Sequence, residues 1–203
     1  MVMRVLSATP YCHTIASGLG SVGTALAFSD TNGDGLGDLI SGAPCADPGV
    51  GDEGTVFVTT LVRDVVSYCQ AKVNSQGCTP FVQGLGYPSA TVPQPFRIKA
   101  QQVLNNKSGL LFYGFAPQAT PFQGGTMCVQ APTRRTPVQG SGGNPPPNDC
   151  SGFYSYDFNQ RIRSGVDPAL VAGVEVFGQY WSRDLSSAST TGLTNALAFF
   201  INP

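Results

Sequence analysis

A short acidic segment, residues 30–38 (DTNGDGLGD), spaces oxygen-bearing side chains regularly between glycines. A hard cation such as Ca²⁺ takes about six to eight oxygen ligands, which a short loop can supply when alternate side chains turn inward. The glycines allow the backbone to curl tightly enough for this arrangement. The spacing therefore predicts a calcium loop, with side-chain ligands and one backbone carbonyl from Asp30, Asn32, Asp34, Leu36 (the carbonyl) and Asp38.

A turn without a metal is the alternative interpretation of this segment, because Asn-Gly and Asp-Gly are strong turn signals. A turn needs only one such dipeptide, however, and three aspartates in register repel one another until a cation neutralises them. An EF-hand is not expected, since the last position of that loop, normally a bidentate Glu, falls on Ser41.

The segments on both sides of the loop have the composition of strands. Residues 22–29 read VGTALAFS and residues 38–44 read DLISGAP. Together with the loop they resemble an FG-GAP repeat, the calcium-binding blade unit of integrin α-subunit propellers and of many bacterial surface proteins. The resemblance extends from about residue 22 to residue 58 and departs from the usual pattern at Val22, where the repeat normally has Phe. It implies a propeller-blade-like β unit with a bound Ca²⁺.

The composition favours strands over helices. Only 11% of the residues are charged, and glycine (25) and proline (16) interrupt the chain often. Strands are predicted at residues 24–28, 39–41, 55–59, 96–100, 109–114, 174–181 and 198–201, and a loop at residues 137–149. We therefore expect an all-β protein, in which an FG-GAP or propeller-blade-like β unit (residues 1–66) is packed on or linked to an antiparallel β-sandwich (residues 67–203).

A lone blade raises the question of what covers it. Propellers need several blades, and one repeat cannot bury its own faces. The first unit is therefore expected to lean on the following domain, on sequence outside this chain, or on a second copy. Self-association through the incomplete blade is one of the predicted interactions.

The cysteines favour disulfides over a zinc site, because their number is even, none forms a C-x-x-C pair, and the chain has a single histidine. They are Cys12, Cys45, Cys69, Cys78, Cys128 and Cys150. Reduced buried thiols are the alternative. The expected domain division favours the pairs Cys12–Cys45, Cys69–Cys78 and Cys128–Cys150. Disulfides imply an oxidising compartment.

The second unit carries several recognisable short motifs. They are CQAKVNS and GC at residues 69–75 and 77–78, NKSGLLFYG at 106–114, FQGG at 122–125, DFN at 157–159 and QYWSRD at 179–184. These motifs resemble an uncharacterised C-terminal β domain of secreted proteins from planctomycetes and related bacteria. The resemblance implies a secreted β domain and indicates no particular chemistry.

The location is expected to be extracellular or on the cell surface. Residues 1–4 do not lead into the apolar core of a signal peptide, so we expect the native start, with its signal peptide, to lie upstream. No transmembrane run is visible. A net charge of −1 and a single basic pair, Arg134-Arg135, argue against nucleic acid as a partner.

The predicted function is that of a calcium-binding module for adhesion, matrix assembly or ligand binding, with a surface or matrix protein or a glycan as the partner. A carbohydrate-binding β-sandwich is one alternative, because aromatic faces can stack on sugar rings. The candidate ligand-binding residues are Tyr154, Tyr156, Tyr180 and Trp181. Adjacent strand residues point to opposite faces, so at least one of Tyr180 and Trp181 is expected in the core.

A calcium-dependent hydrolase of esters, lactones or glycosides is the second alternative. We lean against an enzyme and predict no catalytic residue. The only histidine, His13, lies beside Cys12, and no G-x-S-x-G nucleophile motif is present.

Overall fold

The computed structural model describes residues 23–31, 37–44, 54–59 and 65–203. Nearly all the regular elements within these ranges are β-strands in antiparallel sheets, which confirms the all-β fold expected from the composition. The chain divides into two compact units, Met1–Val62 and Arg63–Pro203, and each is described by itself below.

The first unit contains one antiparallel sheet of three strands in the order β1-β2-β3. These are β1 (Ala25–Ser29), β2 (Asp38–Ala43) and β3 (Thr55–Thr59). All three strands predicted from the sequence are therefore present, and β2 is longer than expected. Ser29 lies opposite Asp38 in the β1–β2 pair, so the predicted calcium loop connects two neighbouring strands of one hairpin.

The second unit consists of two larger sheets and a separate hairpin. Its strands are β4 (Val66–Tyr68), β5 (Phe81–Leu85), β6 (Arg97–Val103), β7 (Ser108–Gly114), β8 (Pro117–Phe122), β9 (Gly125–Val129), β10 (Arg134–Arg135), β11 (Gln139–Gly140), β12 (Gly152–Asp157), β13 (Glu175–Arg183) and β14 (Thr191–Phe200). A six-stranded sheet has the order β10-β7-β13-β14-β4, with β11 also paired to β7. A three-stranded sheet has the order β12-β6-β5, and β8 pairs with β9.

The main core lies between the six-stranded and three-stranded sheets. Tyr180 of β13 and Tyr154 of β12 are fully buried there, and their rings stack with centroids 5.4 Å apart. The Tyr180 hydroxyl donates to the Ile98 carbonyl at 2.9 Å, which connects the two sheets. Gly109 leaves room for the Tyr154 ring, because a Cβ at that position would lie 2.5 Å from the ring. The expected antiparallel β-sandwich is present.

A second core lies on the opposite face of the six-stranded sheet. Phe112 of β7, Phe177 of β13 and Leu193 of β14 point to this face and pack with Val129 of the β8–β9 hairpin. The six-stranded sheet is therefore covered on one face by the three-stranded sheet and on part of the other face by the hairpin. Because both faces of its central strands are covered, their sequences are nearly continuous apolar runs.

Two polar side chains hold the hairpin on the sheet. The buried amide of Gln179 donates to the carbonyls of Thr126 (2.9 Å) and Thr194 (2.7 Å) and accepts from the backbone N–H of Cys128 (3.0 Å). At the hairpin turn, the Lys72 ammonium group donates to the Gln123 carbonyl at 3.1 Å. The same ammonium group donates to the Thr191 carbonyl of β14 at 2.6 Å.

One short helix, α1 (Phe158–Arg163), follows β12. The Asp157 side chain caps it by accepting from the Gln160 backbone N–H at 3.2 Å. The helix was not predicted, because six residues are too few to show a helical period. The predicted loop at residues 137–149 is interrupted by β11, which adds to the edge of β7. No helix among the described residues is long and apolar enough to cross a membrane.

The disulfides of the second unit differ from the predicted pairs. The bridges are Cys69–Cys128 and Cys78–Cys150, so the predicted pairs Cys69–Cys78 and Cys128–Cys150 are wrong. Cys69 follows the edge strand β4, and Cys128 lies in the hairpin that covers the same sheet. Proximity in the sequence is therefore a poor guide to the pairing here. Cys12 and Cys45 lie outside the described residues.

The second bridge has a separate local cause. The Asn74 side chain closes the turn before Cys78 by accepting from the Cys78 backbone N–H at 3.1 Å. Its amide nitrogen also donates to the Gln102 carbonyl of β6 at 3.2 Å. β6 pairs with β12, which begins two residues after Cys150. A turn attached to β6 therefore places Cys78 close to Cys150.

The disulfide pairing can be checked by peptide mapping without reduction. Trypsin cleaves after Arg and Lys, which places the four cysteines in separate peptides, residues 64–72, 73–97, 108–134 and 136–161. We expect masses for 64–72 joined to 108–134 and for 73–97 joined to 136–161. Masses for 64–72 joined to 73–97 would contradict the structure. Reduction must release all four peptides.

Replacing Gln179 with leucine tests the hairpin attachment. The Q179L variant leaves the Cys128 N–H and two carbonyls without their partner, so we expect a loss of about 2–4 kcal/mol in the free energy of unfolding. Urea denaturation measures this loss. The matched control is Gln83→Leu, because Gln83 lies on the face of β5 opposite the core, and we expect it to change stability by less than about 0.5 kcal/mol.

Candidate functional site

The predicted calcium loop begins and ends at the base of the β1–β2 hairpin. Asp30 follows the last residue of β1, and Asp38 is the first residue of β2. Asp38 is fully buried, and its Oδ2 accepts from the Thr31 backbone N–H at 2.9 Å and from the Thr31 hydroxyl. These bonds hold Thr31, next to Asp30, against Asp38 and so draw the two ends of the loop together.

The remaining predicted ligands, Asn32, Asp34 and Leu36, lie outside the described residues. Within residues 23–31, 37–44, 54–59 and 65–203, no group of three or more His, Cys, Asp or Glu side chains is gathered as a metal site. The two carboxylates at the loop ends are oxygen donors of the kind that Ca²⁺ prefers. Calcium binding by the complete set of five residues stays a prediction.

The four aromatic residues predicted as a ligand-binding patch do not share one surface. Tyr154 and Tyr180 are each about 1% exposed and form the stacked pair of the main core. Tyr156 is half-buried and packs edge-to-face on Phe158. Trp181 points to the opposite side of its sheet. The predicted four-residue patch is therefore wrong, because Tyr154 and Tyr180 point into the core. Ligand binding by Trp181 stays a prediction.

The buried tyrosines act as hydrogen-bond donors and not as acids. Burial raises the pKa of Tyr154 to about 12, and burial also raises the pKa of Tyr180. Both hydroxyls therefore stay protonated at neutral pH, as their bonds to the carbonyls of Lys107 (3.0 Å) and Ile98 (2.9 Å) require. Their role is structural.

A cavity of about 220 Å³ opens beside Trp181, on the face of the six-stranded sheet that the hairpin covers only in part. Leu110 and Phe112 of β7 form its floor, and Phe122 and Met127 of the hairpin form a wall. This cavity was not predicted from the sequence. The available signal was the continuous apolar run at residues 110–113, since a strand that is apolar on both faces places Leu110 and Phe112 on the face away from Tyr113.

The Trp181 ring is held in place at the cavity edge. Its indole Nε1 donates to Gln123 Oε1 at 3.1 Å, and the Arg183 guanidinium lies over the ring, 5.1 Å from the centroid. The ring face therefore has a fixed orientation, which is a condition for selective binding. The single histidine, His13, lies outside the described residues.

Part of the first unit is similar to a known repeat family. No curated protein and no solved structure matches the chain. The family model of the FG-GAP repeat matches residues 22–59, which include β1, β2, β3 and all five predicted calcium ligands. FG-GAP repeats occur in extracellular proteins of adhesion and ligand binding. Residues 22–59 of the first unit are therefore similar to an FG-GAP repeat.

Proposed function

We propose that this protein is an extracellular or cell-surface calcium-binding module that serves adhesion, matrix assembly or ligand binding. The observation that carries the proposal is the FG-GAP match at residues 22–59, together with the two carboxylates at the base of the β1–β2 hairpin. The proposed ligands are Asp30, Asn32, Asp34, the carbonyl of Leu36, and Asp38.

The charge distribution supports a cation in this loop. Half of the 12 acidic residues lie within residues 30–53, namely Asp30, Asp34, Asp38, Asp47, Asp52 and Glu53. Carboxylates this dense in the sequence repel one another, and a bound divalent cation would offset that repulsion. Because the loop joins two paired strands, Ca²⁺ would stabilise the hairpin and not only the loop.

The two disulfides support an extracellular location. They link residues 59 and 72 positions apart in the sequence, and no cysteine in the described residues is free. Bridges of this kind form and persist in oxidising compartments. The sequence resemblance of the second unit to a domain of secreted planctomycete proteins points in the same direction and stays a prediction.

The sheet of the first unit supports a binding role. Leu26 and Phe28 on one face, and Val56 and Val58 on the other, are each more than half exposed. Large apolar side chains exposed on both faces of one sheet are typical of a surface that another protein covers. We propose a surface or matrix protein, or a second copy of this chain, as the partner.

Calcium binding is tested by thermal unfolding of the full chain in excess CaCl₂ and in EGTA. We expect calcium to raise the Tm by about 5 °C or more, because a ligand that binds only the folded state stabilises it by mass action. Asp34→Asn should abolish this increase. Equal melting temperatures in CaCl₂ and EGTA would contradict the proposal that the loop binds calcium.

Asp47→Asn is the matched control for this experiment. It removes one negative charge from the same acidic segment but does not replace a proposed ligand, so the calcium-dependent increase in Tm should persist. If both variants lose the increase to the same extent, calcium acts by screening the charge of the segment and not by coordination in the loop.

A further inference from the structure

The cavity beside Trp181 combines an apolar interior with a positively charged rim. Strand register explains its composition. Trp181 lies opposite Leu110 in the β13–β7 pair, and Arg135 lies opposite Phe112 in the β10–β7 pair. Paired residues project from the same face of a sheet, so these four side chains share the outer face.

The interior suits one ring. An apolar cavity of roughly 150 Å³ is large enough to bind benzene, and this cavity measures about 220 Å³. The extra volume accommodates a short substituent on the ring. Phe112 and Phe122 offer ring contacts, and Met127 offers a polarisable thioether, which packs favourably on aromatic rings.

Arg135 brings an uncompensated positive charge to the rim. Arg135 is exposed, and its guanidinium has no hydrogen bond or ion pair in the part of the chain that the structure describes, although its carbonyl accepts from Arg161. The adjacent Arg134 differs, because its Nε lies 2.6 Å from the carboxylate of Asp167. No acidic side chain lines the cavity among the described residues. An anion is therefore the complementary group for Arg135.

A sugar fits this cavity poorly. Sugar hydroxyls need several hydrogen-bond partners, and burying them against apolar side chains costs free energy. Four of the eight lining residues are apolar, namely Leu110, Phe112, Phe122 and Met127. The indole N–H of Trp181 and Oε1 of Gln123 are bonded to each other, which leaves the Thr133 hydroxyl, the Gln123 amide nitrogen and Arg135 as the polar groups that a ligand could reach. The cavity therefore favours an apolar ring with a single charged group over a ring that carries many hydroxyls.

We propose that this cavity binds a small aromatic carboxylate. The ring lies against Trp181 and Phe112, and the carboxylate accepts from the guanidinium of Arg135. The site belongs to the second unit and uses no calcium ligand. A negative result for calcium binding would therefore leave this proposal unaffected, and the reverse also holds.

The binding test uses Trp181 as the reporter, because it is the only tryptophan in the chain. Benzoate and phenylacetate are titrated into the full protein, with benzyl alcohol as the uncharged comparison, and tryptophan emission is followed with excitation at the red edge. We expect a saturable change with the two carboxylates and an affinity about tenfold or more weaker for the alcohol, as the loss of one charge-assisted hydrogen bond implies.

Two arginine variants test whether Arg135 causes the preference for the carboxylate over the alcohol. Arg135→Gln should bring the affinities for phenylacetate and benzyl alcohol together. Arg97→Gln removes an exposed arginine from β6, in the other sheet, and should leave the preference unchanged. Urea midpoints equal to that of the parent protein establish that both variants are folded. An unchanged preference in R135Q, or equal affinities for acid and alcohol in the parent protein, would overturn the proposal.

Methionine NMR supplies a second readout that locates the ligand. The chain has three methionines, Met1, Met3 and Met127, of which Met127 lines the cavity. With the methyl groups labelled by ¹³C, phenylacetate should shift the Met127 signal and leave the other two unchanged. Failure to shift the Met127 signal at saturating phenylacetate would overturn the assignment to this cavity.

Discussion

The amide of Gln179 is the contact on which the second unit most depends. Gln179 is fully buried in β13, yet both polar atoms of its amide have hydrogen-bond partners. The partners are backbone groups of the β8–β9 hairpin and of β14. A buried amide is stabilising only when its bonds are satisfied together. Because the hairpin is fixed in this way, Cys128 lies where Cys69 can reach it, and Met127 lies where it walls the cavity.

Two-sided burial of the six-stranded sheet is the second constraint. β7 and β13 send alternate side chains into two different cores, so Tyr180 serves one core and Trp181 the other. The main core is closed by the three-stranded sheet together with α1 and the segments that carry Leu170 and Ile201. The outer core is closed only where the hairpin reaches, and the uncovered remainder is the cavity. The site is thus a consequence of a two-stranded hairpin lying over a much wider sheet.

Much of this fold could be predicted from the sequence, since strand composition and alternation identify local structure well. The strands at residues 55–59 and 109–114 are found nearly as expected. The disulfides could not be predicted, because their pairing depends on which strands become neighbours. The helix after Asp157 is too short to show a helical period in the sequence. Whether Tyr154 points into the core depends on the register of β12 against β6, which the sequence does not reveal. The cavity required knowledge of where the hairpin lies.

The position of β14 in the sheet has a consequence for how the protein is made. β14 is the last strand in the sequence, yet it lies between β13 and β4, which come from opposite ends of the second unit. The two disulfides also interleave, since Cys78 falls within the loop closed by Cys69 and Cys128. No early portion of this unit can complete its sheet on the ribosome. The six-stranded sheet can therefore be completed only after residue 200, the end of β14, has been synthesised.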